Sequence, residues 1–215
     1  MARFFQGFSK RALDNDAGKN TGGMGSYAPT PFITPELLQK AINTVIEPTI
    51  DGLAAERISY KGMLYCGLML TENGPKVVEF NCRFGDPETQ VVLPLIETDL
   101  IDLVESVCLG TLGDLKLQLS NKHAVCVIAA SGGYPDSYEK GKKISGLDRL
   151  DQEVTVFHAG TQRRNGELVT SGGRVLGVTS TGNDLKQAVE TVYSNLSRIQ
   201  FEGIHYRRDI AKRAL

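Results

Sequence analysis

The chain has 215 residues, Lys+Arg 24 against Asp+Glu 25, a formal net charge of −1, and 41% hydrophobic and 23% charged residues. That length fits one large domain or two small ones, and the mix fits a globular chain with a core and argues against disorder. The balanced charge argues against a nucleic-acid or anionic-membrane binder, and the longest clean apolar run, residues 124–130, is too short to span a bilayer.

In chain order, residues 14–31 are so rich in glycine, asparagine, aspartate and proline that they read as a long loop. Thr34-Pro35-Glu36 gives a cap, a proline at the first helical position and an early acid, so a helix starts there. Its apolar face is Leu37, Leu38, Ala41, Ile42, Val45 and Ile46, and Pro48 should kink or interrupt it. Residues 60–70 and 76–80 read as two strands joined by Glu72-Asn73-Gly74, because Asn-Gly supplies the positive φ of a tight turn. Residues 81–85 form a short loop, and helices follow over about 87–96 and 99–109. The polar stretch 114–122 is a linker, which divides the chain into pieces 1–121 and 122–215. The second piece opens with a strand at 123–130 and a turn at Gly132-Gly133-Tyr134-Pro135. Short strands at 155–159, 167–170 and 174–179 follow. Asn183 or Asp184 caps a closing helix whose face is Leu185, Val189, Val192, Tyr193, Leu196 and Ile199. Residues 205–215, with five basic side chains, read as a short surface helix. The fold class is therefore α+β.

The four cysteines, at 66, 82, 108 and 126, form no CxxC pair, and three lie in apolar runs. They read as reduced, mostly buried thiols of a cytoplasmic protein. The amino terminus lacks the long apolar stretch of a secretory signal.

The densest polar motif is Val78-Glu79-Phe80-Asn81-Cys82-Arg83-Phe84-Gly85-Asp86-Pro87-Glu88. Alternation along a strand puts Glu79, Asn81 and Arg83 on one face and Phe80, Cys82 and Phe84 on the other. A carboxylate and an amide oxygen are hard donors suited to Mg²⁺, and a guanidinium is a bidentate clamp for phosphate. The same letters also describe the solvated face of an edge strand, a reading that the acids of Gly85-Asp86-Pro87-Glu88 make less apt. The glycines of Asn20-Thr21-Gly22-Gly23-Met24-Gly25 let backbone N–H groups approach an anion, or simply make a surface turn; the segment fits neither GxGxxG nor a P-loop. Gly132–Pro135, Phe157–Thr161 and Ser171–Val175 read as tight turns of a small sheet or as a cap over a ligand, and His158 as a hydrogen-bonded turn residue.

On Asn20–Tyr27 and Val78–Gln90 the chain closely resembles the phosphoribosylamine–glycine ligase family of ATP-grasp enzymes. The likeness continues through Leu64–Met69, Gly132–Pro135, Phe157–Thr161 and Gly172–Leu176. The resemblance implies the carboxyl-terminal part of an ATP-grasp module in 1–121, followed by a small mixed α/β sheet domain in 122–215. It implies that ATP phosphorylates the glycine carboxylate and that the amine of 5-phosphoribosylamine attacks the acyl phosphate. It implies Mg²⁺ or Mn²⁺ on Glu79 and Asn81, with Arg83 and Asp86 as catalytic residues, Arg83 steadying the transferring phosphoryl group. Asn20, Thr21, Gly22, Gly23 and Arg83 would border the nucleotide and substrates. Two departures stand out. The family carries an amino-terminal substrate domain and the first part of the ATP-grasp module upstream, and the usual Gln-Asp-His before Lys10-Arg11 is replaced by Gln6-Gly7-Phe8-Ser9. The expectation is a chain with little ligase activity alone, one that needs a separate amino-terminal half and exposes apolar surface which that half would cover. The alternatives are a non-catalytic fragment and an ATP-grasp ligase for a different carboxylate.

Overall fold

The computed structural model describes residues 7–215; the readings placed on residues 1–6 lie outside the described residues. Two compact units emerge. They do not follow chain order, as pieces 1–121 and 122–215 would. One unit holds residues 31–85 and 96–119. The other holds residues 7–30, then 86–95 and 120–215. The reason is strand pairing: the segment read as a loop is a strand that hydrogen-bonds into the carboxyl-terminal sheet.

That second unit is a five-stranded antiparallel sheet. Strands β1 (Gly7–Leu13) and β2 (Ala17–Ala28) form a hairpin. β2 then pairs with the strand at His123–Ala130, which in turn pairs with the one at Arg174–Gly182, and Thr155–His158 closes the order. In chain order these three strands are β5, β9 and β6. β5 is apolar without alternation, and all of it beyond His123 is buried. A strand covered on both faces reads this way. Helix α5 (Leu185–Leu196) covers one face. Asp184 caps it through Oδ1, which accepts from Gln187 N at 2.7 Å, and Leu185, Ala188, Val192 and Leu196 are buried against Val125, Val127, Leu176 and Val178. A fully buried leucine such as Leu196 contributes roughly 1.5–3 kcal/mol.

The segment expected as a surface helix, residues 205–215, instead packs into the sheet, with only a 3₁₀ turn at Lys212–Ala214. Ile210 and Ala211 are buried, and Arg207 is 3% exposed. Its guanidinium bonds Asp209 and, at 2.8 Å, Asp16 in the β1–β2 turn, while Tyr193 Oη donates to Arg207 O and accepts from Ile210 N. His205 Nε2 donates to Ala12 O at 2.8 Å. The basic residues that suggested a solvated helix include the one that locks the carboxyl terminus onto the hairpin.

The first unit is thinner. Helix α1 (Pro35–Ala41) starts on Thr34, whose Oγ1 accepts from Leu37 N at 3.2 Å. A π turn at Ile42–Ile46 leads into α2 (Glu47–Ala55). Helical backbone continues through Pro48, and the regular α pattern is interrupted by the π turn immediately before it, as the sequence led one to expect. Strands β3 (Tyr65–Thr71) and β4 (Gly74–Asn81) form a two-stranded ribbon with Gly74 at φ 100°. Helix α4 (Leu100–Leu109) is capped by Asp99 and ended by Gly110 in the left-handed region. In the other unit, the helix expected at 87–96 shrinks to α3 (Thr89–Val92) and a 3₁₀ turn at Leu93–Leu95. β7 (Thr161–Arg164) and β8 (Glu167–Thr170) form a small hairpin. Among the described residues no helix is long and apolar enough to cross a membrane.

Exposure divides the units sharply. All but Leu13 and Leu215 of the exposed large apolar side chains belong to the first unit, and of its aliphatic side chains only Ala41, Ile42, Val45 and Leu103 are buried.

The Arg207 cluster sets a pH dependence. Burial alone would raise the Asp209 carboxyl, but the Arg207 guanidinium and the Asn15 N–H outweigh it and hold it at about 2. In the unfolded chain the group returns to ~3.9. The folded state thus binds fewer protons across that window, so stability is present above about pH 4 and lost as pH falls toward about 2. Melting curves across that range are expected to show this loss, and Asp209→Asn to flatten it. Arg207→Met, which strands Asp16 and Asp209, is expected to cost about 3 kcal/mol in urea unfolding; an unchanged midpoint would show the cluster to be dispensable.

Candidate functional site

The first group of site residues sits at the end of the β3–β4 ribbon. Gly67 lies opposite Glu79 and Tyr65 opposite Asn81. A slip between Gly67 and Leu68 leaves Val78 as an extra residue, a bulge placed just ahead of the pair. Beyond it alternation resumes, so Glu79 and Asn81 share one face. Gly67 makes room there: a Cβ on it would sit 3.0 Å from Glu79 Cγ. Glu79 is exposed and Asn81 half-buried, so the carboxylate is not walled into the interior. β4 ends at Asn81, and Arg83 lies in the bend beyond, its Nη1 donating to Phe84 O at 2.9 Å. Alternation therefore aligns Glu79 and Asn81 but does not carry Arg83 along. Among the described residues no group of three or more His, Cys, Asp and Glu side chains gathers to hold a metal. A carboxylate plus an amide oxygen on one ribbon face nevertheless fits a hard divalent cation that takes its remaining ligands from phosphate and water.

The second group lies in the sheet unit. Thr21, Gly22 and Gly23 are part of β2, and their donors face protein. Gly22 N donates to Tyr134 Oη at 3.1 Å, Gly23 N to Thr21 Oγ1 at 2.9 Å, and Thr21 Oγ1 to Lys10 O at 2.8 Å. The anion nest suggested by the glycines is thus not formed by Gly22 and Gly23: their N–H groups are already bonded. The glycines serve close packing instead. Gly23 has φ 121°, and a Cβ there would sit 2.5 Å from the Phe8 ring and 2.6 Å from Pro87. Asn20 is exposed and Thr21 is buried. Asp86 is exposed in the same unit. Its Oδ1 accepts from Gln90 Nε2 and its Oδ2 from Arg174 Nη2, both at 2.8 Å.

Other sequence readings fare unevenly. His158 Nδ1 lies 3.1 Å from Thr161 Oγ1, as a turn histidine should. All four cysteines are free, but only Cys126 is buried; Cys66 is half-buried, and Cys82 and Cys108 are exposed. The apolar runs around them misled because the first unit covers so little of its apolar surface. Burial pushes the Cys126 thiol up to about 12, which makes it inert. Sequence reasoning passed over Arg174 and Tyr134, reading them as parts of turns. The available signal was a Gly-Gly pair immediately before each.

Comparison with known proteins now places the chain. Residues 3–89 match the model of the phosphoribosylglycinamide synthetase ATP-grasp (A) domain, and residues 124–213 that of the phosphoribosylglycinamide synthetase C domain. The chain belongs to the phosphoribosylglycinamide synthetase family. The phosphoribosylamine–glycine ligase of Caldanaerobacter subterraneus subsp. tengcongensis is 51% identical over 202 residues, 94% of this chain and 48% of that protein. The human trifunctional purine biosynthetic protein adenosine-3 is 49% identical over 208 residues, 96% of this chain and 21% of that protein. The crystal structure of phosphoribosylamine–glycine ligase from Thermotoga maritima superposes with a TM-score of 0.84 at 39% identity, covering 96% of this chain and 51% of that one. The chain thus spans about half the length of the single-function ligases it matches. The family carries the ATP-grasp fold, in agreement with the α+β expectation.

The glycine packing is testable. Gly23→Ala forces a side chain into the left-handed region and into Phe8 and Pro87, and is expected to lower stability by about 2–3 kcal/mol. Thermal melting of the variant measures it; an unchanged midpoint would mean that the strand relaxes around the methyl group.

Proposed function

We propose that this chain supplies the metal- and phosphate-handling part of an ATP-dependent ligase that joins glycine to 5-phosphoribosylamine. The products are glycinamide ribonucleotide, ADP and phosphate, formed through glycyl phosphate. The observation that carries this reading is the Glu79–Asn81 pair on one ribbon face beside Gly67, in a chain of this family. In this reading 1–121 is the ATP-grasp part and 122–215 the carboxyl-terminal domain.

Glu79 and Asn81 would hold Mg²⁺ or Mn²⁺, and the ion, when bound, neutralises charge on the nucleotide's phosphates. Arg83 stands in the bend beyond the pair, where its guanidinium would leave the Phe84 carbonyl to steady the transferring phosphoryl group. Asn20 is the member of its segment whose side chain is exposed for a substrate, whereas Thr21, Gly22 and Gly23 shape the wall behind it. Asp86 belongs to the same wall. Its two carboxylate oxygens already accept from Gln90 and Arg174, so it braces that wall and does not act as a free base. The partner is the amino-terminal half of the ligase, and the exposed apolar side chains of the ribbon and α4, among them Val78, Phe80, Ile101 and Val104, are what it would cover. Exposed Cys82 and Cys108 suit the reducing cytoplasm.

The test is a chimera in which this chain replaces the matching part of the Caldanaerobacter ligase, followed by coupled ADP release with glycine and 5-phosphoribosylamine. Turnover is expected from the chimera and little from the isolated chain. Glu79→Gln is expected to lower kcat by about a hundredfold or more and to weaken Mn²⁺ binding in the isolated chain, read by electron paramagnetic resonance. A chimera that folds and releases no ADP would refute the ligase reading; full activity of Glu79→Gln would refute the metal assignment.

A further inference from the structure

The motifs Gly132-Gly133-Tyr134 and Gly172-Gly173-Arg174 touch no substrate in the function above, yet both converge on β2, and Arg174 also reaches Asp86. Arg174 opens β9, and its side chain is 21% exposed. Its Nη1 donates to Asp86 O at 2.8 Å and Gly22 O at 3.0 Å, with Gly23 O at 3.5 Å. Its Nη2 donates to Asp86 Oδ2 at 2.8 Å. One planar fork thus joins two backbone segments and a carboxylate, a geometry that an ammonium cannot reproduce.

The glycines around it are what let it close. A Cβ on Gly22 would stand 3.1 Å from Arg174 Cζ, so the guanidinium lies against a bare backbone. A Cβ on Gly173 would stand 2.2 Å from the Tyr134 ring. The Tyr134 hydroxyl, in turn, accepts from Gly22 N. The chain therefore closes a ring: Gly22 to Arg174, Gly173 to Tyr134, and Tyr134 back to Gly22. Gly22 has its N–H held from one side and its C=O from the other.

We propose that Arg174 and Tyr134 form a clamp that sets the direction of the Gly22–Gly23 backbone and the Asp86 carboxylate, and that Arg174 is a positioning residue acting through Asp86 and not on substrate. The effect on turnover rests on the ligase reading; the clamp itself does not. Arg174→Lys keeps the charge and loses the fork, Arg174→Met removes both, and Tyr134→Phe removes the acceptor for Gly22 N.

Two measurements test it. In the isolated chain, hydrogen exchange at residues 22–25 is expected to speed up by at least about tenfold in Arg174→Met and in Tyr134→Phe, while the amides of α5 stay protected. In the chimera, Arg174→Lys is expected to lower kcat about tenfold or more at temperatures where circular dichroism shows it folded, with the KM for ATP unchanged, because misplacement of a wall residue costs rate and not nucleotide binding. Unchanged exchange at 22–25 in both Arg174→Met and Tyr134→Phe overturns the clamp. Altered exchange with wild-type kcat in Arg174→Lys overturns the positioning role. A parent chimera without turnover defeats the ligase reading alone, and the exchange data then decide the clamp by themselves.

Discussion

The architecture depends on the pairing of β2 with β5. Gly25 faces Val127, Ser26 Cys126, Tyr27 Val125 and Ala28 Ala124. This register draws β2 into the carboxyl-terminal sheet, and β1 follows because, among the described residues, it pairs only with β2. It also fixes the turn at 86–87. Ser26 Oγ donates to Pro87 O at 2.7 Å, and Gly23 and Pro87 are in contact range. Substituting Gly25 would strike at the root of this arrangement, because a Cβ there would sit 2.7 Å from Ile210 and 2.8 Å from Cys126 O. The strand can pair with β5 only while that position lacks a side chain.

The two units differ in how far they satisfy their own apolar surface. The sheet unit buries a continuous set from Val125 to Ile210 around α5. The other unit makes its helices and ribbon by local rules of capping, an Asn-Gly turn and amphipathic spacing, yet leaves Met69, Val78, Phe80 and Ile101 exposed. Local propensity can shape such elements, but most of a helix's stability comes from burying its apolar face.

Much of this was legible in the sequence where one local cause decides the outcome. The caps at Thr34 and Asp184, the hairpin at Asn73-Gly74 and the apolar strand at 123–130 needed no tertiary information. Glu79 and Asn81 share a face because alternation over one strand step is a local property. What failed was decided at a distance. β2 looked like a loop because glycine signals turns, whereas here it signals close neighbours. Residues 205–215 looked like a solvated helix because nothing local shows that Arg207 will meet Asp16, 191 positions away in sequence. Arg83 left the expected face because the strand stops at Asn81: the loop read at 81–85 already ends the alternation that the motif was given.

The glycine-rich segment shows why motif chemistry and backbone chemistry must be argued separately. A run of glycines can serve an anion only if its N–H groups point at solvent or ligand. At Gly22 and Gly23 those groups are bonded to Tyr134 and Thr21, and the carbonyls to Arg174. An unsatisfied buried N–H costs roughly 1–3 kcal/mol, so a strand packed this closely gains by engaging its donors internally. The exposed polarity left on this segment is then carried by side chains such as Asn20, and the glycines contribute shape. The same division holds on the ribbon, where Gly67 leaves room for the Glu79 side chain and the polar atoms are those of Glu79 and Asn81.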